Sequence, residues 1–231
     1  MCSLFGWRPS VVGGCLAALL IVTQGSHAFA ADTEVREFAI TIDDKESGRY
    51  RMTIERRDDG TVSMAGQAVV VVKKLGFTVY KYTYSGTEVW KDGKEDRLLG
   101  LNSTSNDNGT KFDVNIASDA NGLRVRVNGQ GRVIRGDVWT TTYWRMAHAR
   151  FHNQNVPLLD ADTGKDYSGR LDYLGTSQLT VAGQNLHCHR FRITGGPYPV
   201  DLWYDTHHRL VRQEFTEDGH RTVLNLASIR R

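Results

Sequence analysis

The chain has 231 residues, with 29 Lys and Arg set against 26 Asp and Glu and a formal net charge of +3. Its basic residues, among them Arg49, Arg51, Arg56, Arg57, Arg124 and Arg126, alternate with other side chains or flank turns, with acids between them. That excludes a phosphate-tracking stripe, and with it nucleic acid as a partner.

Residues 1–30 have the order of a secretory leader: Arg8, an apolar run over 11–22, then the small-residue site Ala28-Phe29-Ala30. The run is shorter than the ~20 apolar residues of a membrane span. The expectation is therefore a cleaved signal peptide, an exported chain in the periplasm or outside the cell, and no stable membrane span after cleavage; an uncleaved anchor is the alternative. Cys2 and Cys15 leave with the leader, and the net charge falls from +3 to +2 with Arg8. Cys188 then has no partner within the chain and reads as a small buried hydrophobe. Without a disulfide, residues 31–231 must be held by core burial, for which one domain of that length is ample.

Strand signals follow in chain order. Residues 37–42 begin the domain, and 49–55 alternate with Tyr50, Met52 and Ile54 on one side. Asp59-Gly60 turns into 61–73, whose Val69-Val70-Val71-Val72 predicts a strand covered on both faces. Residues 76–89 put Tyr80, Tyr82 and Tyr84 on one face, as a pocket wall or as cross-strand packing. Turns at 90–94, 106–109 and 121–122 separate strands at 98–102, 111–117 and 123–127. Period-two segments with turns every ten to fifteen residues mark an antiparallel meander, and so long a sheet must curl.

The rhythm breaks at 138–155, where Trp139, Tyr143 and Trp144 crowd together; this predicts a one- or two-turn helix or ordered loop covering the sheet. Residues 153–168 read as a long polar connection. Strands resume at 171–174 and 177–181 and close with four runs, 187–193, 200–204, 210–215 and 221–227.

Few motifs carry chemistry. Asp160-Ala161-Asp162-Thr163-Gly164 contains the tripeptide of aspartic proteases, but those need a second carboxylate and Lys165 replaces their small residue. Asp160, Asp162 and Asp166 offer oxygens to a hard cation, yet an EF-hand's glycine and glutamate are replaced by Lys165 and Leu171. The bland reading is an Asx turn. His187 and His189 share a strand face, with His148 and His152 upstream; no zinc-binding spacing supports them.

Over nearly all of 31–231 the chain resembles a family of bacterial exported proteins catalogued as a domain of unknown function. The resemblance rests on the Trp139 to Trp144 cluster, Leu158-Leu159-Asp160 with Thr163-Gly164, and Leu202-Trp203-Tyr204-Asp205 leading to Leu210-Val211. It implies no activity, since none is assigned to that family. More distantly, the architecture is similar to periplasmic half-barrels such as the lipoprotein-localisation carriers, and architecture does not fix function.

The expected fold is all-β: a single strongly curved antiparallel meander sheet or open half β-barrel, covered by a short helical or loop segment at 139–165. The expected function is non-catalytic binding of a lipid or other apolar or amphipathic small molecule, or of an envelope partner, in the concave face. Tyr80, Tyr82, Trp139, Trp144 and Trp203 are the candidate lining, and no cofactor, metal or catalytic residue is assigned. Two alternatives stand beside it: a metal-dependent or other hydrolase, or a metalloprotein, using His187, His189 and the Asp160 to Asp166 region, and a structural envelope protein without ligand. Oligomeric state is not legible.

Overall fold

A computed structural model describes residues 32–93 and 96–231. The expected leader at 1–30, with Cys2 and Cys15, lies outside the described residues. Fifteen strands form one sheet: β1 (Asp32–Ile42), β2 (Lys45–Arg56), β3 (Thr61–Lys74), β4 (Phe77–Lys91), β5 (Arg97–Asp107), β6 (Thr110–Asp119), β7 (Gly122–Val127), β8 (Gln130–Ile134), β9 (Trp139–Thr140), β10 (Gln154–Leu159), β11 (Asp166–Val181), β12 (Gln184–Thr194), β13 (Val200–Asp205), β14 (Leu210–Glu217) and β15 (His220–Arg230). Their order is β8-β7-β6-β5-β4-β3-β2-β1-β15-β14-β13-β12-β11-β10-β9, antiparallel throughout except for the short β9–β10 pair. The meander is thus two hairpin arrays joined where the first strand lies beside the last, Phe38 opposite Leu226.

The expected covering segment at 139–165 is shorter than predicted, since β9 and β10 belong to the sheet, and the sheet bends around residues 141–153 between them. Trp144 Nε1 donates to Glu88 on β4, while the carbonyl of neighbouring Tyr143 accepts from Tyr204 Oη on β13. Those strands are six positions apart in the sheet, about 29 Å if it were flat at ~4.8 Å per strand. Two adjacent residues reach both only if the sheet curls. At the seam between the sheet's two edges no ladder forms; Arg132 of β8 instead donates to the Gly164 carbonyl and pairs with Asp166 at 2.7 Å. The barrel is open, bridged by side chains.

Inward positions follow strand alternation. Tyr50, Met52 and Ile54 are buried as expected, alongside Phe38 and Ile40 of β1 and Val62, Met64, Ala68 and Val70 of β3. Cys188 is free and buried. Among the described residues no helix is long and apolar enough to cross a membrane.

Two local expectations are corrected. The valine run of β3 is not covered on both faces, since Val69 is 50% exposed; the strand is one-sided, and its outward valines reflect β propensity rather than burial. Residues 153–168 are not a polar connection but the hairpin β10–β11, closed by 160–165. Pro157 disguised β10; proline is tolerated on short peripheral strands, and Val156, Leu158 and Leu159 supply the buried positions. Helical structure in the covering segment amounts to one 3-10 turn, Ala149–Phe151.

Candidate functional site

The covering segment is anchored on a buried carboxyl group. Glu88 points inward from β4, two residues from Trp90, and is fully buried. Its Oε2 accepts from Trp90 Nε1 (2.7 Å), Thr140 Oγ1 (2.9 Å) and Trp144 Nε1 (3.0 Å), and its Oε1 from Thr142 Oγ1 (2.6 Å). Trp139 donates to the Arg145 carbonyl and meets Tyr143 edge-on at 4.9 Å. Trp139 and Trp144 are each 3% exposed. Both are therefore buried core, Trp139 on β9 and Trp144 in the segment that follows it, and not the wall of an open cavity.

Trp203 is placed on the other side of the sheet. Val200, Leu202 and Tyr204 of β13 face inward, so Trp203 faces out, sandwiched between the guanidinium groups of Arg190 (5.0 Å) and Arg212 (5.3 Å) on flanking strands. Its burial comes from cation–π stacking rather than from the concave face.

Tyr80 and Tyr82 share the inward parity of Tyr84 and Glu88 on β4, at one end of the barrel. In an antiparallel meander alternate turns share an end, and here those after β1, β3, β5, β7, β10, β12 and β14 rim the same mouth. The loop 160–165 folds into that mouth: Ser103 Oγ donates to the Ala161 carbonyl, Ser105 Oγ to that of Asp162, and Tyr82 Oη to Asp162 Oδ2 at 2.5 Å. Gly164 is required there, because its φ is +70° and a Cβ would lie 2.5 Å from Val127. Above the loop, at this mouth of the barrel, Tyr80, Tyr82, Tyr198 and Phe215 form a cluster with Asp107, Asp162 and Glu217, called the bowl below. Tyr198 stacks on Phe215 at 4.5 Å. Asp162, Tyr82 and Tyr198 are each half-buried.

Electrostatics single this bowl out. Burial, then the charge of Asp160, pushes the Asp162 carboxyl up to about 7, only partly offset by the Tyr82 hydrogen bond. Glu217 is raised by burial and by Asp107, Asp218 and Asp160. Below the bowl the Tyr50 and Tyr84 hydroxyls are buried with no hydrogen-bond partner among the described residues, and such groups call for a water or a ligand atom.

A pH dependence follows from Asp162. Its folded pKa lies above its unfolded value, so its ionisation costs nothing below about pH 4 and penalises the fold increasingly up to about pH 7. The ceiling is about 4 kcal/mol, and solvent reaching the bowl reduces it. Asp162→Asn should be about 1–2 kcal/mol more stable than the parent at pH 8 and no more stable at pH 4, read by urea unfolding. Equal stability at both pH values would show that the carboxyl is well solvated.

The histidines and the aspartate loop do not meet. His187 is exposed, and His189 Nδ1 lies 3.2 Å from Tyr173 Oη. Asp160 caps its own turn through Asp162 N and Thr163 Oγ1, Asp162 holds Tyr82, and Asp166 pairs with Arg132. The loop is an Asx turn whose carboxyl groups diverge. Among the described residues no group of three or more His, Cys, Asp or Glu is arranged to hold a metal. Two clefts open elsewhere, of about 500 Å³ against Thr83, Ser85 and Thr104 and about 460 Å³ at the seam against Ile134 and Tyr167, and the acid cluster lies in neither.

A family model described as a domain of unknown function, DUF6134, matches residues 38–227. A solved structure, a β-barrel-like protein of the domain of unknown function DUF1849 from Brucella abortus, is similar with a TM-score of 0.61 at 7% identity, covering 85% of this chain and 96% of that one. At that identity the likeness speaks for the fold alone. No curated protein matches the chain.

Proposed function

The chain belongs to the DUF6134 family, whose description carries no activity, and from its own residues we propose that it is a non-catalytic binder of an amphipathic small molecule, working after export in the periplasm or outside the cell. The observation that carries this reading is the bowl: a stacked Tyr198–Phe215 pair and two further tyrosines beside three carboxyl groups, two of them raised in pKa. Aromatic walls take an apolar body, while crowded carboxyl groups and π faces favour a cationic head. Export is supported by the order of charge, apolar run and small residues at 1–30.

Dodecyltrimethylammonium and dodecyl sulfate, each below its micellar concentration, separate the outcomes in a calorimetric titration. The cationic amphiphile should bind, and Asp162→Asn with Glu217→Gln should weaken it at least tenfold, about 1.4 kcal/mol. Equal affinity for both amphiphiles, or no change in the double variant, would remove the bowl as a charge-selective site. One observation favours a second reading, a structural envelope protein without ligand: Trp139, Tyr143, Trp144 and Ala147 already pack into the core inside the bend. On that reading neither amphiphile binds.

A further inference from the structure

The hairpin of β3 and β4 is longer than its neighbours can pair. Pairing of β2 to β3 ends at Gly48 opposite Val70, and pairing of β4 to β5 ends at Tyr82 opposite Asp107. Residues 71–80 therefore form a two-stranded arm beyond the last paired rows, held at its base by Asn108 N donating to the Lys81 carbonyl, at the rim of the bowl. Its tip carries the most exposed large apolar side chains described: Leu75 at 92% and Phe77 at 76%, with Val79 at 51%.

The turn itself departs from local preference. Lys74 pairs with Phe77 across a two-residue loop in which Leu75 has φ 51° and Gly76 φ 84°, a type I′ geometry. Asparagine before glycine suits that turn; leucine, with its Cβ against the carbonyl, does not. A large apolar residue is thus held at the outermost point of an arm, in the position where it is least favourable locally and buries nothing. Lys73 and Lys74 flank it, Lys81 stands at the base of the arm opposite Val71, no acid occurs between 71 and 81, and none of the three lysines has an ion pair among the described residues.

We propose that this arm docks the protein on a bilayer surface carrying anionic headgroups, with Leu75 and Phe77 entering the interfacial region and the three lysines lying at the phosphates. The charge pattern selects this occupant. A protein-binding arm needs shape-matched polar contacts along its strands, whereas an apolar point backed by cations along the arm matches a surface that is apolar inside and negative at its rim. The placement does not depend on what the bowl binds, though it would hold the mouth next to the membrane.

Co-sedimentation of the purified protein with phosphatidylcholine vesicles, with and without 30% phosphatidylglycerol, tests it. Binding to the anionic vesicles should exceed that to neutral ones at least tenfold and fall as salt rises. Leu75→Asn with Phe77→Ser should weaken binding at least tenfold while leaving thermal unfolding unchanged or raised, because asparagine suits the turn. A merely structural tip would instead show binding unaltered. Lys73→Glu, Lys74→Glu and Lys81→Glu together should abolish it. Equal binding to both vesicle types, or full binding by the tip variant, overturns the proposal. So does concentration-dependent dimerisation in solution that the tip variant abolishes, which would make the occupant a second copy of the chain.

Discussion

Glu88→Ala should destabilise the protein by about 3–6 kcal/mol, enough to unfold a domain of ordinary stability. The carboxyl group accepts from two indole N–H groups and two hydroxyls, all buried. On removal the hydroxyls of Thr140 and Thr142, 3.0 Å apart, can satisfy each other, but the two indoles are stranded at roughly 1–3 kcal/mol each, and a cavity is left beside them. Glu88→Gln fills the same volume and keeps an acceptor, and Thr142 can turn its lone pair to the new amide. It should cost only about 1–2 kcal/mol. Denaturant unfolding followed by near-ultraviolet dichroism of Trp90, Trp139 and Trp144 reads both. Near-equal, small losses would mean that the covering segment is held by packing rather than by this hub.

Arg36→Met should be the next most damaging change, at about 3–5 kcal/mol. Arg36 is 2% exposed; its Nε donates to Glu34 at 2.7 Å and a terminal nitrogen to the Trp144 carbonyl at 2.8 Å, so one guanidinium ties β1 to the covering segment. Burial alone would raise the Glu34 carboxyl, but Arg36, Arg231 and Arg209 together hold it below its usual value. Losing Arg36 leaves that charge half-compensated, because Arg231 stands at 3.1 Å and Arg209 at 3.7 Å. The double replacement Glu34→Leu with Arg36→Met should recover part of the loss, since the buried charge goes with its partner. A double variant no better than the single one would place the penalty in the Trp144 contact, which both variants lack.

Much of the fold was legible because it is made of hairpins. Alternation at Tyr50, Met52 and Ile54 gave the inward face, and Asp59-Gly60 and Asn108-Gly109 gave turns, each a local pattern with a local cause. The bowl was less legible. Tyr80 and Tyr82 were found by alternation, yet Asp107, Tyr198, Phe215 and Glu217 come from separate hairpins and meet only through the curl of the sheet, which no short stretch records. Glu88 was within reach: continuing the parity of Tyr84 through Gly86 places it inside, a charge where an apolar residue belongs. The same reasoning applied to Leu202 and Tyr204 puts Trp203 outside. Aromatic identity misled where parity would have sufficed.

The pairing of β1 with β15 carries a consequence for the integrity of the whole sheet. Every other antiparallel ladder joins strands that are neighbours in sequence, while this one joins residues almost the full described length apart. Each array can zip up from its own turns, but their union must close a loop spanning nearly everything between, the slow kind of contact. Shortening the chain by its last strand would therefore not trim a border. It would cut the ribbon at its midline and expose two fresh templates for aggregation, one on β1 and one on β14, where the intact protein has none.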